Sequence, residues 1–307
     1  MTIVLQSQFM ANASIHGIKD RRASFVHSPV VIATQLRTHT PCDALSQKDM
    51  LHPDQHIKET GPFFVHLCGN ISVGKTTNLD AVAAILRARN VRVVVVKEDV
   101  ESWRHVGGQN GVNLFQLMYE DMKRPASERK QYCTIFQFKA MLRYYNHIRE
   151  QVAEYTRREH VPPEIVLIER HQSENQVFVD DQHRLGIISD DDYVILRDLA
   201  HEIELTGNVS PSHLCFHLTP RSVDDLVERQ RMRGTSEESG MTREYLQSLQ
   251  DAYSEWEATS KREFSYPIQV TSVPSDVHTN PSMANALAQD IVSRLLFFYA
   301  QHGPQCM

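Results

Sequence analysis

Between residues 63 and 299 the apolar positions follow two alternating rhythms. Short continuous runs at 63–68, 91–96, 165–168, 214–218 and 268–270 with its flanks have the length and density of strands buried on both faces. Between them apolar residues recur at helical spacing, as Leu79, Val82, Ala83 and Leu86 do within 78–89. Further helical patterns cover 127–156, 173–181, 190–205, 222–232, 243–261 and 283–299. Strands alternating with helices predict an α/β fold: a parallel sheet of about five strands covered by helices on both faces. Ligands of such sheets bind outside the carboxyl ends of the strands. Five segments therefore matter most: 69–76, 98–103, 169–171, 219–221 and 272–278.

The first of them lies in HLCGNISVGKTTNL, where Gly69 and Gly74 bracket Asn70, Ile71, Ser72 and Val73, and Lys75 and Thr76 follow, with Thr77 beside them. This fits G-x-x-x-x-G-K-[ST] at every fixed position, between a strand and a helix as the motif requires. A glycine-rich turn lets backbone N–H groups converge on one point, and the positive end of the next helix faces it. The loop is a candidate phosphate cradle, with a chance glycine turn as the plain alternative.

Two further strand ends carry groups suited to phosphoryl transfer. Glu98 follows the second strand, with Asp99 and Glu101 close behind, and one of these carboxylates can position a nucleophile. Glu169 and Arg170 follow the third and suit a metal ion together with phosphate oxygens; an exposed ion pair is the alternative. Downstream, ERQRMRGTSEESGM holds Arg229, Arg231 and Arg233 ahead of a polar, glycine-containing break. Arg229 and Arg233 share a helix face, and an arginine-bearing flap suits charge stabilisation of a transferring phosphoryl group.

Charge and cysteine usage narrow the classes. A formal charge of -6 over 307 residues argues against a nucleic-acid surface, while leaving small anionic ligands open. The cysteines 42, 68, 133, 215 and 306 form no C-x-x-C pair, which fits a reducing compartment without structural metal. Residues 1–60 are rich in Ser, Thr, His and Gln, with weak periodicity, and are expected to form a disordered extension ahead of a domain at 61–307. Asp20 is the only acid in the first forty residues, so a transit peptide stays open although no Arg-rich amphipathic helix is evident. The apolar run at 29–33 is too short for a membrane anchor. A cytoplasmic location is expected, with mitochondrial and nuclear ones as alternatives.

With these residues in hand, the chain resembles the deoxyribonucleoside kinases, the family of mitochondrial thymidine kinase and deoxycytidine kinase. The resemblance spans about 62–278 and rests on the phosphate loop, EDVESWRHVGGQNGVNLFQLMYED, IFQ at 135–137, ER at 169–170 and RMRGTSEESGMTREYL. It implies a P-loop kinase fold with an arginine-bearing lid, ATP and Mg²⁺ as cofactors, and a homodimer. Glu98 is then the base, and Trp103, Met118 and Phe136 line the nucleoside pocket. Tyr119 and Glu238 hold the sugar 3′-hydroxyl, Gln137 reads the base and Phe178 stacks beneath it. Arg170 contacts the 5′-oxygen and phosphates, Thr76 and Glu169 serve Mg²⁺, Arg229 and Arg233 form the lid, and Asp276 belongs to an adenine-binding turn.

Several departures from the family pattern refine this. His171 stands where Ser is usual; herpesvirus thymidine kinases have Asp-Arg-His there, which leaves a viral origin open. The tract from His171 to Phe178 is about one residue short, so that either Glu174 or Asn175 takes the position that tunes base choice. Thr235 replaces a second lid arginine, with Arg231 as its substitute. Tyr144, where Met or Arg is common, argues for a narrow pocket, and the expected substrate is thymidine, with deoxycytidine second. The rivals are a kinase acting on a monophosphate such as dTMP, which needs further cations at the acceptor, and a nucleotide-gated switch or inactive scaffold. The Asn-Lys-x-Asp of such switches is absent.

Overall fold

The structure, a computed structural model, describes residues 61–303 other than 109, 206–212, 239–240 and 264–265. The extension expected over residues 1–60 lies outside the described residues. Five strands, β1 (Phe63–Cys68), β2 (Val93–Val96), β3 (Ile165–Glu169), β4 (Leu214–Pro220) and β5 (Ile268–Val273), form one sheet in the order β2-β3-β1-β4-β5. Every pairing is parallel. β1 is central and wholly buried, as its unbroken apolar run requires.

Alternate residues of β1 face different layers. Phe63, Val65 and Leu67 pack with Leu79, Val82 and Leu86 of α1 (Lys75–Ala88) and with Leu287, Ile291 and Leu295 of α9 (Pro281–His302). Phe64 instead joins Val94, Val166 and Ile168 against Ile148 of α4 (Tyr132–Glu159). A separate apolar cluster joins Trp103 of α2 (Val100–Arg104), Leu114, Phe115 and Met118 of α3 (Leu114–Met122), Phe136 and Met141 of α4, and Val179 of α5 (Glu174–Arg184). α6 (Asp190–Leu205) adds Leu196 to it, while α7 (Val223–Arg233) and α8 (Arg243–Glu263) add Leu226 and Leu249 to the first layer.

The five strands and seven long helices expected from periodicity all occur, with shifted bounds. α1 begins at Lys75 rather than 78, because left-handed Gly74 (φ 102°) caps it directly. α4 begins at Tyr132 rather than 127: the buried carboxylate of Asp121 accepts hydrogen bonds from Lys130 N (2.8 Å) and Tyr132 N (2.9 Å), fixing its entry. The helical pattern had not indicated α2 or α3. In α3, Leu114, Phe115, Met118, Tyr119 and Asp121 are all buried, and such a wide apolar face in nine residues blurs the helical period.

Candidate active site

The loop from Gly69 to Gly74 is shaped by what lies beneath it. At Gly69 (φ 133°) a Cβ would meet the Leu218 carbonyl of β4 at 2.4 Å, so only glycine allows the sheet to approach this closely. Asn70 is fully buried; its Oδ1 accepts from Ile71 N (2.7 Å) and its Nδ2 donates to Leu246 O (3.0 Å). Val73 is a core residue. Gly69, Asn70 and Val73 thus brace the loop from below, while Ile71, Ser72, Gly74, Lys75, Thr76 and Thr77 line a cavity of about 640 Å³. That volume lies in the range of small-molecule sites.

Lys75 is buried, and its ammonium donates to the carbonyls of Gly69 (2.9 Å) and Asn70 (3.0 Å). Burial, with the neighbouring Arg170 charge, brings its pKa down to about 8 against the pull of Glu98 and Glu169. Burial pushes Glu98 up, but Arg170 and Lys75 outweigh it and hold this carboxyl below its usual value. Burial and the Glu98 charge push Glu169 up. Glu169 Oε1 accepts from Thr76 Oγ1 at 2.8 Å. Two neighbouring carboxylates with opposite shifts and a hydroxyl make an all-oxygen donor set that suits a hard divalent cation.

Arg170 is the most constrained side chain of the site. Its Nε donates to Glu98, and its Nη1 donates to Tyr253 Oη (2.8 Å), Gly69 O (3.2 Å) and Glu174 Oε1 (3.3 Å). The guanidinium lies 4.8 Å from the centre of the Phe178 ring. Its backbone is left-handed (φ 71°), a conformation that costs a side-chain-bearing residue about 1–2 kcal/mol. The Arg170 carbonyl accepts from Tyr144 Oη (3.0 Å) and from His66 Nδ1 (3.0 Å), which hold that geometry from behind the sheet.

Tyr144 is therefore not a wall of the nucleoside pocket, as its sequence position had suggested; it packs with Phe64 and Ile148 and adjoins a separate void of about 40 Å³. The cavity is lined instead by Trp103, Met118, Tyr119, Phe136, Gln137, Phe178 and Glu238, all seven being residues expected from the sequence to line a nucleoside pocket. Trp103 and Phe136 meet edge to face at 5.0 Å. Tyr119 is buried, and burial with the Glu238 charge raises its hydroxyl pKa well above the ordinary value. Between Glu174 and Asn175, the structure brings Asn175 to the cavity. Glu174 is fully buried, where its Oε1 accepts from Gly69 N (2.9 Å) and Tyr253 Oη (2.7 Å), and its Oε2 from His171 N (2.8 Å).

The arginines expected to form a lid lie on α7 and at its end. A capping box of Ser222 and Asp225 starts this helix and left-handed Gly234 (φ 63°) stops it, so that Arg233 is its last residue. Arg233 Nη2 donates to Ser72 Oγ (3.3 Å) and to Glu238, which Thr235 also engages (2.6 Å). Arg229 is buried and donates to Val73 O (3.2 Å) and Pro274 O (2.7 Å), tying the phosphate loop to the turn after β5. Arg231 does not substitute for Thr235: it is paired with Glu228 (2.8 Å) on the outside, 74% exposed. Asp276 is exposed and accepts from Asn280 Nδ2 (3.2 Å), whereas its neighbours Val277 and His278 line the cavity.

Sequence reasoning missed the roles of Glu174 and Tyr253, and the ion pair of the cavity-lining Arg104 with Glu237 (2.8 Å). Among the described residues no group of three His, Cys, Asp or Glu forms a metal cluster, and no helix is long and apolar enough to cross a membrane.

Two comparisons bear on this arrangement. The chain is 25% identical over 254 residues to deoxycytidine kinase 2 of Gallus gallus, covering 74% of this chain and 88% of that protein. The profile of the family described as deoxynucleoside kinase matches residues 65–296, which hold the glycine-rich loop and the arginine-bearing α7 together. By that match over most of its length, the chain belongs to the deoxynucleoside kinase family.

Proposed function

We propose that this protein transfers the γ-phosphoryl group of ATP to the 5′-hydroxyl of a deoxyribonucleoside, thymidine first and deoxycytidine second. The observation that carries the reading is the position of Glu98, at the junction of the phosphate loop and the aromatic half of one cavity, fixed there by Arg170. A 5′-hydroxyl beside Glu98 is oriented by a carboxylate kept ionised by two cations. The hydroxyl is a far weaker acid than a carboxylic acid, so Glu98 orients the nucleophile and takes its proton late. Lys75 and the loop N–H groups meet the β- and γ-phosphates, and Arg233, next to Ser72, meets charge developing in flight. The Thr76 hydroxyl and Glu169 carboxylate would hold Mg²⁺. When bound, it neutralises phosphate charge; positioning by the chain does the rest.

A monophosphate acceptor is disfavoured by charge pairing. At the acceptor end Arg104 is engaged by Glu101 (2.9 Å) and Glu237 (2.8 Å), and Arg170 by Glu98. A phosphate at the acceptor end would meet cations already neutralised, whereas a neutral nucleoside needs none. For the homodimer, the support is an apolar stripe on α4, Ile135, Phe138 and Leu142, 43–48% exposed, with exposed Val194 and Ile195 on the neighbouring α6; sedimentation measures it. The function is tested by phosphoryl transfer from ATP to each of the four deoxynucleosides and to dTMP. Transfer to dTMP alone, or ATP binding without transfer, would overturn it.

A further inference from the structure

Glu98 lies in the connection between β2, which ends at Val96, and α2, which begins at Val100. Arg170 holds its side chain, yet a carboxylate is placed by its backbone as well, and both residues flanking Glu98 are held from α4. On one side His147 Nε2 donates to the Lys97 carbonyl (3.1 Å), an acceptor that fixes the proton on that nitrogen. On the other, Arg143 Nε donates to Asp99 Oδ2 (2.7 Å), and His147 Nδ1 lies 3.6 Å from the same oxygen. Arg143 and His147 are one helical turn apart and so share a face of α4. Arg143 is itself braced by Glu150, which accepts from Nη1 (2.8 Å) and Nη2 (2.7 Å).

Asp99 occupies the N-cap position of α2, where an aspartate ordinarily accepts from the first turn of its helix. Here its side chain makes no capping bond. It turns to Arg143 instead and adjoins the separate void of about 40 Å³ that Glu98 also lines. Burial pushes the Asp99 carboxyl up, but Arg143 foremost outweighs it and keeps that carboxyl below its usual value. The helix behind this bond is firmly seated. Ile148 packs with Phe64, Val94 and Ile168, and six residues before Arg143, about 9 Å along the axis, Gln137 lines the main cavity. One helix thus sets the backbone beside Glu98 relative to the aromatic pocket. We infer that Arg143, acting through Asp99, is a positioning residue that fixes the loop bearing Glu98 and so aims its carboxylate at the acceptor hydroxyl. This rests on the proposed kinase reading. An ion pair that only stiffened the surface of α4 would act on stability alone, and weakly.

The test is a double-variant cycle on kcat in the full-length protein, with saturating ATP and whichever deoxynucleoside the wild type phosphorylates fastest. With Glu98 present, Arg143→Met should lower kcat about ten-fold or more, since a misplacement of about 1 Å at a reacting group costs about a hundred-fold. In a Glu98→Gln background no carboxylate is left to misplace, and the same substitution should lower kcat less than about three-fold further. A merely structural defect removes active molecules and lowers kcat by one factor in both backgrounds. Asp99→Ala cuts the same bond from its other end, and decides the question if Arg143→Met fails to fold. A loss at least about three times larger with Glu98 than with Gln at that position, in either variant, supports the inference. A smaller asymmetry in both overturns it while the kinase assignment stands. A Glu98→Gln protein with wild-type kcat overturns it together with the role of Glu98, and a wild type that phosphorylates no deoxynucleoside overturns the kinase assignment itself.

Discussion

Replacing Glu174 by Gln keeps the shape of a fully buried side chain and removes its charge. In the native protein the carboxylate accepts from Gly69 N, Tyr253 Oη, His171 N and Arg170 Nη1, on three separate parts of the chain. An amide has one acceptor oxygen. Whichever way it turns, its N–H₂ faces a donor, either His171 N or the group formed by Gly69, Tyr253 and Arg170. One hydrogen bond to a charged group, worth about 1.5–3 kcal/mol, is lost outright, and Arg170 keeps only Glu98 as a countercharge. Breaking one side of a buried ionic cluster costs about 3–5 kcal/mol, so Glu174→Gln should lower stability by that amount. The midpoint of thermal unfolding should fall by roughly 6–20 °C, at about 2–4 °C per kcal/mol for a domain of this size. Urea unfolding followed by the fluorescence of Trp103 and Trp256 measures it directly. Tyr253→Phe, which leaves the charges in place, should cost about 1–3 kcal/mol, and the double variant should fall short of the sum by at least about 0.5 kcal/mol. A Glu174→Gln protein within 1 kcal/mol of wild type, or strict additivity with Tyr253→Phe, refutes the reasoning.

Other perturbations separate chemistry from scaffold. Glu98→Gln should lower kcat by about two to four orders of magnitude with a smaller change in KM, in steady-state assays with saturating ATP; a change in KM alone would make Glu98 a binding residue. His66 is buried with its pKa lowered from 6.5 to about 4, so the folded state binds fewer protons than the unfolded state between those values. Stability is therefore lost as pH falls through 6.5, by about 2 kcal/mol at pH 5 from this group; His66→Asn should flatten the acid limb of the stability profile by that amount. Arg104→Glu and Glu237→Arg should each raise nucleoside Kd several-fold, and the charge-swapped double variant should recover most of the loss, as read by tryptophan fluorescence titration.

The strand–loop–helix geometry at 63–88 was legible because it is local: Gly69 and Gly74 set backbone angles and Lys75 opens the helix, all within eight residues of one another. The strand-end acids were legible because a parallel sheet gathers its carboxyl ends whatever the strand order. What escaped depended on partners distant in sequence. Glu174 reads as an ordinary helix-start acid until folding sets it against Gly69 and Tyr253, 105 and 79 residues away. Tyr144 carries a plausible pocket side chain on the right helix, but the left-handed turn at Arg170 draws its hydroxyl to a carbonyl instead. Arg231 shared the arginine-rich run, yet helical geometry sends it to the face opposite the cavity, where Glu228 waits three residues back.

The anchoring of Arg229 has a consequence for motion. A helix pinned near its middle at both the Val73 and the Pro274 carbonyls has no free pivot at its base. Swinging α7 as a rigid lever would strip a buried guanidinium of both acceptors. The natural hinge is Gly234, just past the last helical residue, with Arg233 on the fixed side and Thr235, Glu237 and Glu238 on the travelling side. On the proposed kinase reading, a rearrangement beyond Gly234 would move Thr235, Glu237 and Glu238 relative to Arg233 while leaving both Arg229 bonds intact.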